Sequence, residues 1–252
     1  MLGGFVLDWF PWESAFWFAG FSSILAIFIA WKVLEDIPNN VGNRSGLNSL
    51  DLRVVFKNFK TLGWISCYST HNYELFAFRS WVVAYLAFAL SDSSRGSFLQ
   101  PSIIVFIGTI LGMPSSVIGN ELSMRFGRQR IVFGIMFFSA ILSVLVGCSS
   151  NMAIPLMILL ILVYGCFVTG ESASITSGVI ESAEKEHRGA TMAVHSSIGF
   201  IGSFLGPIGF GIVLNEFGGH NSSEAWFWAF SSTGIILMLG PLLFLLLTFK
   251  KN

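Results

Sequence analysis

Residues 96–120 contain no Asp, Glu, Lys or Arg, and the same holds for 14–31, 189–215 and 225–249. Each stretch matches the roughly 20 residues that an α-helix needs to cross about 30 Å of hydrocarbon, and each is too long for a barrel strand of about 10. Inside lipid a backbone must satisfy its own hydrogen bonds, so these stretches can only be helices. Composition agrees, with 54% hydrophobic and 11% charged residues and a mean hydropathy of +0.73; soluble domains carry about 25% charged residues. The chain reads as an all-α integral membrane protein.

Two further segments raise the number of transmembrane helices to seven. Residues 131–170 also lack charge but are too long for one span, and GCSSN at 147–151 supplies a turn, so they form a hairpin of two helices. Residues 61–90 make the remaining helix, although they contain Glu74 and Arg79. The basic residues set the topology. Lys32, Arg44, Arg53, Lys57 and Lys60 lie between the first two helices; Arg125, Arg128 and Arg130 follow the third; Lys185 and Arg188 follow the fifth; Lys250 and Lys251 end the chain. The other loops carry only Arg95. The positive-inside rule then places the amino terminus outside a cell membrane and the carboxyl terminus in the cytoplasm. The opening MLGGFVLDWFPWE has Asp8 and Glu13 and no basic n-region, unlike a signal peptide.

Several classes drop out. A retinal protein needs a Schiff-base lysine in its last helix, and 225–249 has none. A seven-helix receptor would show an aromatic-preceded Asp-Arg pair after its third helix and an Asn-Pro pattern in its seventh; neither occurs, which leaves that class a remote alternative. No nucleophile, acid and histidine are grouped as in an enzyme, and there is no phosphate-binding glycine loop or nucleic-acid patch beyond the short inside loops. Cys67, Cys148 and Cys166 have neither disulfide nor metal spacing and read as packing residues. No cofactor or metal is expected.

The segment GNELSMRFGRQR, Gly119 to Arg130, resembles the cytoplasmic signature of the major facilitator superfamily, a glycine, three residues, Asp, Arg, any residue, Gly, Arg, then Arg or Lys. Arg125, Gly127 and Arg128 match its second half, with Arg130 beyond. Met124 replaces the acid, and Gly119 stands one position before the first glycine, where Asn120 sits. The family's acid belongs to a charge relay that latches the cytoplasmic gate, so this loop departs from the latch. By itself Gly127 permits a tight turn, and the arginines suit lipid phosphates or helix C-terminal carbonyls.

The resemblance implies twelve helices in two six-helix halves, of which this chain has seven. The long basic connection at 35–62 matches the linker between halves. Residues 1–34 would then be an outer segment with the counterpart of the sixth helix, and 63–252 the carboxy-terminal six-helix bundle; a register in which the second helix is the family's first stays open. The resemblance further implies a secondary active transporter, a symporter or antiporter, working with a small-molecule substrate, protons, the bilayer and an amino-terminal half absent from this chain. The rival is a non-transporting scaffold or remnant.

Within HNYELFAFRSW, 71–81, a charge facing lipid costs roughly 2.5–3.5 kcal/mol at a helix centre, so Glu74 and Arg79 must face protein or water. Glu74 lies about 13 residues, or roughly 20 Å, from the inner end of its helix. His71 shares its face, whereas Arg79, five residues on, points elsewhere. Family binding sites lie at the midplane, which implies Glu74 as a protonatable coupling group and Arg79 as an anion-binding or gate residue; an ion-pair network that only sets helix register is the structural alternative. In GESAS, Glu171 lies at a depth comparable to His195, so the two could meet, either as a proton relay or gate latch or as a hydrogen-bonded pair with no transport role. Tyr68, Asn72, Tyr73, Trp81 and Gln100 are further cavity candidates. GTILG at 108–112 and GFIGSFLGPIGFG at 199–211 are small-residue packing patterns; the second also resembles a glycine-proline motif of antiporters. The charges of 181–197 form a latch or a solvated loop.

Overall fold

The computed structural model describes residues 10–33, 51–91 and 100–249. Arg44, Arg95, Lys250 and Lys251, which carry part of the topology argument, lie outside them, as do Asp8 and most of the 35–62 connection. The chain divides into two units, Met1–Ser45 and Gly46–Asn252.

The first unit contains α1 (Glu13–Val33), 21 residues with Glu13 in its first turn and Lys32 in its last. Both charges complement the helix dipole. At 1.5 Å per residue α1 is about 32 Å long, enough to span.

The second unit begins with the short α2 (Leu52–Lys57), capped by Asp51, and continues as α3 (Phe59–Ala89), α4 (Pro101–Phe126), α5 (Arg128–Gly147), α6 (Ile154–Gly170), α7 (Ser172–Ser182), α8 (Arg188–Glu216) and α9 (Ser223–Phe249). No strand occurs among the described residues. Residues 52–57 and 59–62, read from the sequence as linker, are helical and joined to the bundle: Val55 is buried, and Asn58, between the two helices, and Thr61 both donate to the Ser182 carbonyl, at 2.8 and 3.0 Å. The GCSSN turn is a short 3-10 turn at Ser149–Asn151. Two sequence expectations shift. The helix expected over 96–120 runs from Pro101 to Phe126, because proline suits the first helical turn and Gly127, at φ +96°, ends it. The second helix of the hairpin runs on past residue 170 and is split into α6 and α7 at Glu171.

Six stretches among the described residues are long and apolar enough to cross a membrane. The helix outside this set is α3, whose 31 residues extend about 46 Å but include His71, Asn72, Glu74 and Arg79. Its polarity goes with its place in the bundle: α3 packs along both α8 and α9 and touches α7. The pairings repeat in a regular way. α3 lies on α8 and α9, while α6 lies on α4 and α5, and α5 meets α9. Two groups, one of α3, α4 and α5 and the other of the interrupted α6 and α7, α8 and α9, thus exchange equivalent contacts.

Buried side chains form three levels. Leu75 to Ala89 of α3 join Met157 to Val168 of α6, Phe210 of α8 and Trp226 and Phe230 of α9 in one apolar cluster. Trp64 to Cys67 of α3 join Met136 of α5, Ile175 and Val179 of α7 and Phe244 of α9 in a second. Between them every polar side chain named next is buried: His71 and Glu74, Ser139 and Ser143, Glu171 and Ser174, Ser231 and Thr233. Of the cysteines, Cys67 is buried in the second cluster and Cys148 is exposed at the end of α5.

The glycine pattern of 199–211 packs α8 against α3. Gly199, Gly202, Gly206 and Gly209 recur at three- and four-residue spacing and so share one face. A Cβ at Gly202 would run into the Ser69 carbonyl, and one at Gly206 into that of Tyr73. α8 is continuous through Pro207, whose carbonyl accepts from Trp81 Nε1 at 3.0 Å. Gly202→Ala is therefore expected to lower the melting temperature in detergent by forcing two backbones apart, a loss of about 1–3 kcal/mol. Gly134→Ala, where a Cβ meets nothing within 4 Å, should hold or gain stability, by up to about 1 kcal/mol.

Candidate functional site

Glu74 stands at the middle of α3, with 15 residues on either side between Phe59 and Ala89. Its carboxyl is fully buried. Oε1 accepts from Ser139 Oγ of α5 at 2.8 Å and from Tyr164 Oη of α6 at 3.1 Å. Tyr164 Oη is also 3.3 Å from Ser143 Oγ, and Ser143 donates onward to the Phe230 carbonyl at 2.7 Å. The single Tyr164 proton therefore has two acceptors, one on α3 and one on α5.

One turn earlier, His71 Nδ1 lies 2.8 Å from Glu171 Oε1, both side chains fully buried. Glu171 reaches this point from the break between α6 and α7, serving as the end of one helix and the start of the next. The break is packed from outside by α4: a Cβ at Gly119 would strike the Gly170 carbonyl. His71, Glu74 and Glu171 bring ligand atoms within 4.8 Å of one another, the one such group of three among the described residues. His71 Nε2, Glu74 Oε2 and Glu171 Oε2 have no hydrogen-bond partner. An unpartnered buried polar atom costs about 1–3 kcal/mol. Two ionised carboxylates at this separation repel each other in a dry interior, and a proton on one of them or on the imidazole, or a single cation held by the three, relieves that repulsion.

His195 does not meet Glu171. α3 intervenes, and its His71 takes the carboxylate, while His195 stacks on Tyr68 with ring centroids 3.8 Å apart. Its Nδ1 has no hydrogen-bond partner. Asn72 and Tyr73 lie against the glycine face of α8, and Trp81 binds the Pro207 carbonyl, so these side chains serve the α3–α8 seam. Gln100 is exposed at the start of α4 and makes no side-chain cap bond.

Arg79 is exposed on a different face, as its spacing predicts. It lines a cavity of about 300 Å³ between α3, α4 and α6, together with Leu75, Phe78 and Val82 of its own helix. Those four positions recur at i, i+3, i+4 and i+7, one helical stripe. Ser139, Ser143 and Tyr164, which complete the buried network, are absent from the candidates the sequence suggests; the i, i+4 spacing of two serines in an apolar helix was the available signal.

In the signature loop Gly127 is the whole connection between α4 and α5. Arg128 crosses the bundle end: Nε and Nη2 donate to Glu181 at 3.0 and 2.5 Å, and Nη1 to Asn120 Oδ1 at 3.0 Å and the Ser174 carbonyl at 3.2 Å. Among the described residues Arg125 pairs with Glu121 of its own helix alone, at 2.8 Å. Arg130 and Met124 are exposed. Asn120, standing in the glycine's register position, is thus an anchor for the arginine, and the carboxylate absent at Met124 is supplied to Arg128 by Glu181.

The sequence model of the Major Facilitator Superfamily matches residues 1–207 and again residues 74–252. The chain belongs to the Major Facilitator Superfamily. No curated protein matches it. As a superfamily member it is a multi-pass membrane protein of the transporter class, whose members are transporters rather than enzymes. The signature loop of this facilitator makes a direct prediction. Arg128→Ala should cost about 1–3 kcal/mol, because it removes one planar fork from three partners, and Arg128→Lys should recover little of it. Arg125→Ala, which breaks one exposed pair, should leave the melting temperature unchanged. Thermal melts of the three variants in detergent check this.

Proposed function

We propose that the chain is the transporting carboxy-terminal part of a proton-coupled facilitator that moves a small solute by alternating access. In this reading α3, α4, α5, α6 with α7, α8 and α9 are the superfamily's seventh to twelfth helices, and α1 is its sixth. Residues 35–62 include the linker, and five earlier helices come from an amino-terminal half in cis or as a separate chain. The basic residues on the α4–α5 and α7–α8 connections support a cytoplasmic carboxyl terminus in a cell membrane.

One observation carries the coupling assignment: three titratable side chains are fully buried within 4.8 Å of one another, and each retains an unpartnered polar atom. A network that only fixed helix register would be expected to satisfy those atoms. Ionised Glu74 draws the Tyr164 proton to itself; protonated Glu74 leaves that proton to Ser143, whose own proton is on the Phe230 carbonyl. Protonation on α3 is thereby felt on α5 and α9. Glu171, at the α6–α7 break, ties the same event to the helix that shares the solute cavity.

The test is solute-linked proton flux in vesicles containing a pH-sensitive dye, with the amino-terminal half supplied if the DNA upstream of Met1 encodes one. Glu74→Gln and Glu171→Gln are each expected to lower the flux at least tenfold. A His71→Phe, Glu171→Leu double variant should melt within a few degrees of the native chain, because the desolvation of a buried pair offsets its attraction, yet transport nothing. Normal flux in the carboxamide variants, with a much lower melting point for the double variant, would make the network architectural. An absence of five further helices upstream, in frame or in an adjacent gene, would favour the non-transporting remnant.

A further inference from the structure

We infer that the Arg79 cavity binds a small amphipathic monocarboxylate, an inference that rests on the transport reading only in taking this cavity as the solute site. The walls come first. Leu75, Phe78 and Val82 on α3 and Ile104, Ile161 and Leu162 on the facing helices give a hydrophobic slot of about 300 Å³. That is the lower end of the range for small-molecule sites.

The polar groups in the slot are few and unequal. Thr109 Oγ1 donates to the Val105 carbonyl at 2.9 Å and Thr169 Oγ1 to the Gly165 carbonyl at 2.8 Å. Their protons are held by their own helices, so toward the cavity they present lone pairs. Ser116 and Ser172 are the other hydroxyls. Arg79 is the single cation in the lining, and it makes no ion pair with any of the described residues. The lining contains no carboxylate.

This inventory sorts ligand classes. A sugar would need several donors and acceptors spread around the slot, whereas Arg79 and the Ser116 and Ser172 hydroxyls are few and the remaining wall is mostly apolar. An amino acid zwitterion would bring an ammonium with no carboxylate to meet it. A phosphate dianion would bring two charges to one guanidinium. A carboxylate fits the planar fork in a bidentate manner, and an aromatic or branched apolar body fills the remaining wall. The position of Arg79 agrees: it lies about 7.5 Å along α3 from Glu74, at a depth where a charge facing lipid is costly, so its natural counterpart is an anion in the cavity.

The experiment is equilibrium binding of radiolabelled 4-phenylbutyrate to the full chain in phosphatidylcholine nanodiscs, with 4-phenylbutyramide and phenylalanine as competitors. Saturable binding is expected, with the amide and the zwitterion at least tenfold weaker. Arg79→Gln should weaken the carboxylate at least tenfold and leave the amide unchanged. Gly108→Leu, which places a side chain toward Leu162 at the cavity wall, should weaken both. Equal binding of acid and amide, or native affinity in Arg79→Gln, overturns the inference. Loss of binding in phosphatidylglycerol nanodiscs also overturns it, because it assigns Arg79 to an anionic lipid. No pH gradient enters this measurement. Carboxylate binding without solute-linked proton flux would sink the transport reading and leave this one standing, and flux without carboxylate discrimination would do the reverse.

Discussion

A polar side chain in the middle of a membrane-spanning helix has no water to bind, and this constraint organises the bundle around α3. The helix with the most polar centre is also the one packed along α8 and α9, with α7 beside it. Its His71 and Glu74 are enclosed by partners from two other helices and the break between α6 and α7: Tyr164 of α6, Ser139 of α5 and Glu171 at the break. The same level holds Ser143, Ser231 and Thr233, and apolar clusters close it off on either side. A single buried polar layer, reached by α3, α5, α6 and α9, is a strong device for register, because sliding any of these helices by one turn would pull its hydroxyl or carboxyl into an apolar level.

Such a layer requires helices to approach closely, and small residues permit it. The α3–α8 seam depends on glycines whose missing side chains admit the Ser69 and Tyr73 carbonyls, and the α4–α6 contact depends on Gly119 meeting Gly170 at the break that carries Glu171. Water expulsion adds little between helices in lipid, so van der Waals contact across these smooth faces supplies much of the association. The glycine patterns and the buried acids are therefore parts of one arrangement. Backbone proximity at Gly119 and Gly170 holds in place the turn from which Glu171 reaches His71.

Much of this was legible from the residues alone. Charge-free stretches located the helices, with α4 displaced from its expected bounds by five residues at its start and six at its end, and the GCSSN turn separated the hairpin. The five-residue spacing of Glu74 and Arg79, about 140° around an ideal helix, correctly placed them on different faces. The limits have physical causes. The break at Glu171 leaves no mark in hydropathy, because residues on both sides are apolar or small. The expected Glu171–His195 contact was reasoned from depth, which orders residues along the membrane normal but says nothing about which helix stands between them; α3 does, and offers His71. Tyr164 and the two serines were hidden because a hydroxyl in an apolar helix usually donates to its own backbone, as many do here. Only tertiary placement distinguishes Ser139, whose proton goes to a carboxylate on another helix.

The three faces of α3 suggest how binding and coupling are kept apart yet connected. Tyr73 and Trp81 belong to the seam with α8, His71 and Glu74 to the buried network, and Leu75, Phe78, Arg79 and Val82 to the cavity. On the proposed reading solute meets one face and protons another, so neither has to displace the other. Their link is mechanical. A change in protonation that redirects Tyr164 between Glu74 and Ser143 acts on α6, and α6 also lines the cavity through Ile161, Leu162 and Gly165. Such a link needs a helix able to shift by a small amount without unfolding, and on that reading the one-residue interruption at Glu171 is the place where α6 and α7 would change their mutual angle. A continuous helix across this position would hold the same side chains but would move as one rod, and the protonation of Glu171 could then reach the cavity only by displacing the bundle as a whole.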